Sequence, residues 1–259
     1  MNRTINFAKR NFKEMLRDPI IYVFCLAFPL VMLALFQIIN RYTNGNTPMF
    51  SITAIFPSIM MFSFSFVTLL MALLVSKDKQ TSFLKRLFTS PMKSYEFVLG
   101  YAITGIVIGI LQSVITTIVS FIISLITKVE FTSFLGCLLV ILSQMPVLFI
   151  SVFLGILFGV LFNDKSAPGI CSILISASGV LGGCWMPIET MQGFETFCRF
   201  LPFYPSVYLG KIFSGAKNFF GDGYAFNQTA LLGLIIIAIY LILSILLCFI
   251  SFCKITKDN

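Results

Sequence analysis

The stretch 52–75, "ITAIFPSIMMFSFSFVTLLMALLV", runs without a single charged side chain. A helix needs about 20 apolar residues to cross the hydrocarbon core of a bilayer. In lipid every backbone polar group must bond internally, so a run of this kind is predicted to be a membrane-spanning helix. The composition of the whole chain agrees, because only 11% of its 259 residues are charged, against about a quarter in soluble domains.

Five further uncharged segments are long enough to cross the membrane, at 20–39, 98–126, 132–162, 166–185 and 228–253. The sequence therefore predicts an all-α integral membrane protein with six transmembrane helices in a single domain, residues 1–259. Three other segments precede or connect these spans. They are an N-terminal amphipathic segment, 1–19, a basic connection, 76–96, and an apolar but proline-interrupted connection, 186–227.

Lysine and arginine fall mostly on one side of the predicted membrane. Thirteen of the 18 basic residues lie in 1–19, in 76–96, at Lys165 and in the C-terminal tail. Positively charged loops stay in the cytoplasm, so this bias predicts a multi-pass protein of the plasma (cytoplasmic) membrane with both termini in the cytoplasm. The bias and its attraction to anionic lipid headgroups account for the net charge of +8, and no nucleic-acid partner is needed.

The N-terminal segment "INFAKRNFKEMLRDP", residues 5–19, is amphipathic at helical spacing. Ala8, Phe12, Met15 and Leu16 share one face, and basic residues lie largely opposite. This pattern is typical of a helix that lies in the membrane interface. Such a helix serves as a plain membrane anchor, as an elbow helix that contacts the first span, or as both.

The connection 81–100, "TSFLKRLFTSPMKSYEFVLG", interrupts the spans with a second amphipathic pattern. The apolar face of a helix here would hold Phe83, Leu84, Leu87 and Phe88, and the polar face Ser82, Lys85, Arg86 and Thr89. The pair Ser90-Pro91 ends or restarts the helix. The residues alone allow two roles, a lipid-facing linker or a surface that a cytosolic partner grips.

Small residues recur at four-residue spacing in the spans, which lets helices approach closely. The stripes are Gly105, Gly109, Ser113 and Thr117, then Gly155 and Gly159, then Gly179 and Gly183. We interpret them as packing positions. The seven cysteines lack zinc-site spacing, so no metal site is expected. Cys184 and Cys198 share the outer side of the predicted topology, which allows a disulfide between them.

Three absences restrict the function. The predicted spans carry no Asp, Glu, Lys, Arg or His, which ion-coupled carriers use inside the membrane. The chain has no histidine to act as the base of an intramembrane hydrolase, so we expect no catalytic residue. It also lacks the GxxxxGK[ST] loop that cradles nucleotide phosphates. Energy for uphill movement would therefore have to come from another protein.

The outer connection 186–227 is too apolar for a free loop and is broken by Pro187, Pro202 and Pro205. Charged residues interrupt it at Glu189, Glu195, Arg199 and Lys211. Segments of this length and mixture indicate re-entrant or interfacial helices.

Taken together, these segments resemble the permease subunits of ABC-2 type ATP-binding-cassette exporters over nearly the whole chain. The segment "KRNFKEMLRDPIIYVFCLAFPLVMLALF" is similar to the family's elbow helix and first span. The segment "SFLKRLFTSPMKSYEFVLG" is similar to its small-x-Leu-Lys-Arg-Leu-x-x-Thr-Pro element, and "GVLGGCWMPIETM" with "LPFYPSVYLGKIFSG" resembles its fifth span and outer re-entrant helices. Two positions depart from the family pattern. Asp78 is the only acid near the Leu-Lys-Arg-Leu element, and Tyr101 replaces the basic residue that often follows Leu-Gly.

The resemblance implies a dimer of permease chains, identical or related, with two copies of a separate cytosolic ATPase that bind ATP and Mg²⁺. It implies no cofactor in this chain. The residues that it assigns to a coupling helix are Thr81, Phe83, Leu84, Lys85, Arg86, Leu87, Phe88 and Pro91. In the elbow helix it assigns Phe12, Met15 and Leu16. Candidates for the substrate path are Met61, Phe62 and Phe66, and candidates for an outer gate are Pro187, Glu189, Pro202 and Pro205.

Two classes of function fit the residues. The first is ATP-driven export of a hydrophobic or amphipathic substrate, such as a drug, an antibiotic peptide or a lipid, since the spans are uncharged and rich in Phe and Met. The second is a non-transporting immunity or scaffold protein that sequesters an amphipathic toxin, which leaves the two amphipathic segments and the outer connection unexplained. A secondary carrier fits least, because the spans lack a coupling site.

Overall fold

The computed structural model describes residues 2–19, 23, 27–43, 48–81 and 94–258, and these residues are predominantly helical. Their elements are α1 (Asn2–Met15), α2 (Phe28–Tyr42), a 3₁₀ turn (Pro48–Phe50), α3 (Ile52–Gln80), α4 (Ser94–Thr127), α5 (Phe134–Leu161), α6 (Ala167–Leu181), a second 3₁₀ turn (Ile188–Thr190), α7 (Gln192–Arg199), α8 (Phe203–Ser214) and α9 (Gln228–Asp258). No strand occurs in the described ranges, so the expected all-α fold is confirmed there.

Four helices are long and apolar enough to cross a membrane, and they match four of the six predicted spans. They are Ile52–Gln80, Tyr95–Thr127, Phe134–Leu161 and Gln228–Cys253. The counterparts of the predicted spans 20–39 and 166–185 are the shorter apolar helices α2 and α6, of 15 residues each. A helix of that length extends about 22 Å, less than the ~30 Å of hydrocarbon. Residues 20–22 and 24–26 of the predicted first span lie outside the described part of the chain. A multi-pass membrane protein is therefore confirmed, and six complete crossings stay a prediction.

Helix α3 is the centre of the bundle. From Ile52 to Val75 every side chain is buried except those of Thr53 and Leu73, which are half-buried. The helix packs against α4, α5, α6 and α8 at once. A helix that is apolar on all sides suits either lipid or a protein interior, and here it forms the interior. The exposed apolar faces belong mainly to α4 and α9, whose outward side chains are mostly Leu, Ile, Val and Phe.

Glycines set the closest approaches to α3, as the small-residue spacing predicts. A Cβ on Gly155 of α5 would lie 2.6 Å from the Thr68 carbonyl oxygen, and one on Gly159 would lie 2.7 Å from that of Ala72. Neither oxygen can withdraw, because both belong to the α3 backbone. The two stripe glycines of α4 are crowded by side chains, because a Cβ on Gly105 would meet Met71 and Val152 at 2.9 Å and one on Gly109 would meet Leu148 of α5 at 2.1 Å. The packing interpretation is confirmed at these positions.

The outer connection folds into short helices that begin near its prolines. Pro187 precedes the second 3₁₀ turn, Pro202 precedes α8, and Pro205 lies in the first turn of α8. Helix α8 packs against α3, α5 and α9. Gln144 of α5 donates from Nε2 to the Ser206 carbonyl of α8 at 2.9 Å. The connection therefore places a short helix among the spans instead of an open loop.

Cys184 and Cys198 are both free thiols, so the disulfide considered from the sequence is not formed. The two residues are buried in different contacts. Cys184 donates to the Ser58 carbonyl of α3 at 3.3 Å, whereas Cys198 packs with Ile188 and Tyr204. The predicted topology put the two thiols on the same side, but it could not show that each is held by a different neighbour.

Candidate functional site

Helix α1 packs along the start of α4 through aromatic rings. The ring of Phe7 lies edge-on to those of Phe97, with centroids 5.7 Å apart, and Tyr101, with centroids 4.9 Å apart. Gly100 permits this contact, because a Cβ there would lie 2.4 Å from the Phe7 ring. Helix α1 is thereby fixed to a long apolar helix of the bundle.

The three elbow residues assigned from the sequence fall in different environments. Met15 is buried and Phe12 is half-buried, whereas Leu16 is exposed and follows the end of α1. Leu16 is therefore not part of the buried face. That face is centred on Phe7 and Asn11, where α1 contacts the rest of the protein. A pattern of apolar residues could not identify Asn11, because asparagine is polar.

A buried carboxylate joins α1, α3 and α4. Asp78, in the last turn of α3, is 2% exposed. The guanidinium of Arg10 on α1 donates to it twice, from Nη1 to Oδ2 at 2.9 Å and from Nη2 to Oδ1 at 3.0 Å. The hydroxyl of Tyr101 on α4 donates to Oδ2 at 2.7 Å. We call these three residues the Asp78 junction.

The Asp78 junction satisfies a charge that would be costly to bury alone. A buried carboxylate requires a partner and hydrogen bonds, and a guanidinium supplies both through two parallel N–H donors. Arg10 also pairs with Glu14 of α1 at 2.6 Å. Burial lowers the pKa of Arg10, but the hydrogen bond and the charge of Asp78 outweigh burial, and the pKa is raised. Arg10 therefore stays a cation at physiological pH.

The junction also brings together the two departures from the family pattern. Asp78 is the acid near the Leu-Lys-Arg-Leu element, and Tyr101 stands where a basic residue is common. In the structure Tyr101 donates to Asp78, and Arg10 supplies the positive charge. The resemblance marked the first two positions, but 68 residues separate Arg10 from Asp78, and no local pattern relates them.

The Asp78 junction borders the segment that the resemblance assigns to coupling. Helix α3 ends where Thr81 donates from both its N–H and its Oγ1 to the Lys77 carbonyl at 3.0 Å. Helix α4 begins at Ser94. The intervening residues 82–93 lie outside the described part of the chain, and they include Phe83, Leu84, Lys85, Arg86, Leu87, Phe88 and Pro91. Both ends of this segment therefore belong to helices that the junction holds together.

The substrate-path candidates Met61, Phe62 and Phe66 are buried side by side on α3. The Phe62 ring lies edge-on to that of Phe66, with centroids 5.4 Å apart, and to Trp185, at 4.8 Å. Phe28 of α2 adds a fourth ring, 5.2 Å from Phe66. In this conformation the three candidates pack within the chain.

The gate candidate Glu189 belongs to a second polar cluster, near the other end of α3. Its carboxylate accepts from the Tyr224 hydroxyl, and Lys211 of α8 donates to the same hydroxyl at 3.3 Å. Lys211 is only 8% exposed. Burial lowers the pKa of Lys211, and the charge of Glu189 opposes this effect. The cluster ties the turn after Pro187 to α8 and to the loop that follows α8.

The family model for the ABC-2 type transporter matches residues 4–212 of the chain, which is most of its length. The chain belongs to the ABC-2 type transporter family. The match begins in α1 and ends in α8, so it includes the Asp78 junction and most of the outer connection. None of the curated proteins compared with the sequence matches it.

An ABC-2 type transporter domain is a transmembrane permease that works with an ATPase subunit and is not itself an ATPase. Where the chain is described, no group of three or more His, Cys, Asp or Glu residues could hold a metal ion. The two polar clusters join helices and loops through the hydrogen bonds described above, and we assign no chemical step to them.

Proposed function

We propose that the chain is the membrane-spanning permease subunit of an ATP-driven ABC exporter. It moves a hydrophobic or amphipathic substrate out of the cytoplasm or the inner leaflet. Membership of the ABC-2 type transporter family supports a permease. The proposal adds the direction of transport, a second permease chain, identical or related, and two copies of a separate ATPase that bind ATP and Mg²⁺.

The observation that carries the proposal is the Asp78 junction. It fixes α1, α3 and α4 to one another beside the two ends of segment 82–93. A partner that grips this segment displaces the ends of α3 and α4 together, and α1 follows because Arg10 is held by two bonds. Packed helices shift as units and do not deform continuously. The displacement therefore reaches the centre of the bundle through α3.

Helix α3 also carries the substrate-path candidates. Phe62 precedes Asp78 by 16 positions along the helix, which corresponds to about 24 Å. A movement of α3 that separates Phe62 from Trp185 would expose an uncharged, aromatic surface next to Met61 and Phe66. Such a surface suits a drug, an antibiotic peptide or a lipid.

Purification of the full-length chain from its native membranes in mild detergent tests the proposal. We expect an ATP-hydrolysing subunit to co-purify, and we expect its hydrolysis rate in proteoliposomes to depend on the permease. Leu87→Glu should release this subunit, because it places a charge on the predicted apolar docking face. The matched control Thr89→Glu adds the same charge to the predicted polar face and should retain the subunit.

Three results would contradict the proposal. Retention of the ATPase and of coupled hydrolysis by Leu87→Glu would make the assignment of the docking face wrong. The same result for Phe83→Glu and Phe88→Glu would exclude coupling through this segment. Purification without any ATPase would favour the non-transporting scaffold considered from the sequence.

A further inference from the structure

A cavity of about 180 Å³ lies between α7, α8 and α9. Its floor is formed by Tyr204, Pro205 and Gly233, which are buried, and its rim includes Phe200 and Leu232, which are exposed. An apolar cavity of about 150 Å³ stays dry and binds small apolar molecules such as benzene. The size of this cavity therefore suits part of an alkyl chain.

The lining of the cavity is mostly apolar, and its polar side chains are those of Thr196, Tyr204 and Thr229, with Arg199 at the rim. The Tyr204 hydroxyl, which is the polar group of the floor, already donates to Glu195 at 3.0 Å. A buried water needs two to four polar partners, and the floor, formed by Tyr204, Pro205 and Gly233, does not supply them. Gly233 allows α9 to lie close to α8, because a Cβ there would be 2.7 Å from the Pro205 Cβ. An apolar occupant is therefore favoured over water.

The cavity faces the membrane. Helix α9 contributes Thr229, Leu232 and Ile236 to its lining, and α9 is among the helices apolar enough to cross a bilayer. Beside them, Leu231 and Ile235 are 52% and 57% exposed. Exposed Leu and Ile on a spanning helix contact lipid tails. Lipid is therefore the medium next to the rim.

A charge pair lies at the rim. Arg199 lines the cavity, is 45% exposed, and donates to Glu195 from Nε at 3.3 Å and from Nη2 at 2.8 Å. These two bonds leave Nη1 of Arg199 for a ligand, and guanidinium groups bind phosphate well. Glu195 can in turn accept from an ammonium group. The pair thus complements a headgroup that carries both a phosphate and an amine.

We propose that this cavity binds one zwitterionic phospholipid of the phosphatidylethanolamine type from the surrounding bilayer. An acyl tail fills the space against Tyr204, Pro205 and Gly233, and the headgroup binds Arg199 and Glu195. The lipid joins the outer connection to the last span, α9. This inference goes beyond the proposed function, because it holds whether or not the chain transports a substrate.

Native mass spectrometry of the full-length chain, purified with any subunits that accompany it, tests the proposal. The delipidated protein is titrated with phosphatidylethanolamine or with phosphatidylglycerol, which is anionic. We expect one phosphatidylethanolamine to bind at least about tenfold more tightly than phosphatidylglycerol, because a single charged hydrogen bond contributes a factor of this size. Equal binding of the two lipids by the wild-type chain would overturn the proposal.

Two variants separate the tail from the headgroup. Thr229→Phe fills the cavity and should weaken binding of phosphatidylethanolamine at least about tenfold. The matched control Leu231→Phe adds the same ring outside the cavity and should bind as the wild type does. Glu195→Gln should remove the preference between the lipids, because only phosphatidylethanolamine carries the amine that Glu195 binds, whereas Asp222→Asn, on the same outer connection, should keep it. Arg199→Gln should weaken binding of both lipids, because both carry a phosphate.

Two results with these variants would overturn the proposal. One is wild-type binding by Thr229→Phe, and the other is an unchanged lipid preference in Glu195→Gln. Circular dichroism checks the helical fold of each variant. Glu195 lies at the rim and is not part of the packed floor, so its variant decides the question even if Thr229→Phe does not fold.

Discussion

The Asp78 junction predicts an asymmetry between its two charged residues. Arg10→Gln leaves the Asp78 carboxylate buried, with the Tyr101 hydroxyl as its remaining junction donor. Asp78→Asn removes the buried charge and leaves the Arg10 side chain, 36% exposed, in contact with water and Glu14. Loss of the partner of a buried charge lowers the free energy of unfolding by about 3–5 kcal/mol. For Arg10→Gln we use about 3 kcal/mol, because Arg10 is partly exposed. Asp78→Asn should cost about 1–2 kcal/mol, which is the value of charged hydrogen bonds reduced for solvent.

Thermal unfolding of the purified chain, followed by far-ultraviolet circular dichroism, measures this asymmetry. One kcal/mol corresponds to about 2–4 °C in a chain of this size, so Arg10→Gln should lower the melting temperature by about 6–12 °C. Asp78→Asn should lower it by about 2–8 °C. The double variant should cost at least about 1 kcal/mol less than the sum of the single variants, because it leaves no buried charge.

Two matched variants define the background of this experiment. Glu14→Gln removes two partly exposed ion pairs, with Arg10 of α1 and with Lys77 of α3, and should cost no more than about 0.5 kcal/mol. Tyr101→Phe removes one hydrogen bond to the buried carboxylate and should cost about 1.5 kcal/mol. Equal losses for Arg10→Gln and Asp78→Asn, or additivity within about 0.5 kcal/mol, would refute the reasoning.

Three further predictions concern the core and the outer cluster. Gly159→Ala should destabilise the chain by about 1–3 kcal/mol. Gly169→Ala should be neutral or slightly stabilising, because its Cβ would meet no atom within 4 Å. Equal melting temperatures of the two variants would contradict this prediction. Burial lowers the pKa of Lys211 in the folded chain below its ordinary 10.5. At a pH between the lowered value and 10.5, the unfolded chain binds more protons than the folded chain, so stability rises with pH. The difference in melting temperature between the wild type and Lys211→Met should thus shift in favour of the wild type from about pH 7 to about pH 10. A shift in the opposite direction would mean that the pKa of Lys211 is raised in the folded chain. Tyr224→Phe breaks the outer cluster and should speed tryptic cleavage after Lys217; an unchanged rate would show that the cluster does not hold this loop.

Hydropathy predicted most of the bundle, because length and the absence of charge largely decide which segments cross a membrane. Helices α3, α4, α5 and α9 begin and end within a few residues of the predicted spans, apart from the extension of α3 to Gln80. The same criterion could not show that 52–75 forms the core, since an apolar helix suits lipid and protein equally. That distinction depends on which helices surround it.

The Asp78 junction could not be predicted from local patterns. In the sequence Arg10 is one of several basic residues on the polar face of α1, and its spacing does not distinguish it from Lys9 or Lys13. The fold selects it by bringing α1 against α4, where the Phe7 ring packs on Tyr101. The exposure of Leu16 has the same origin, because the position of α4 decides which face of α1 is buried.

The rate of ATP hydrolysis in proteoliposomes tests the central claim most directly, namely that the Asp78 junction links the ATPase to the spans. The comparison uses the wild-type chain, Asp78→Asn and Glu14→Gln, each with its ATPase subunit bound. We predict that the wild type and Glu14→Gln change the hydrolysis rate of the ATPase equally. Asp78→Asn, although folded and still bound to the ATPase, should leave hydrolysis at the rate of the ATPase alone. A rate for Asp78→Asn equal to that of the wild type would contradict the claim.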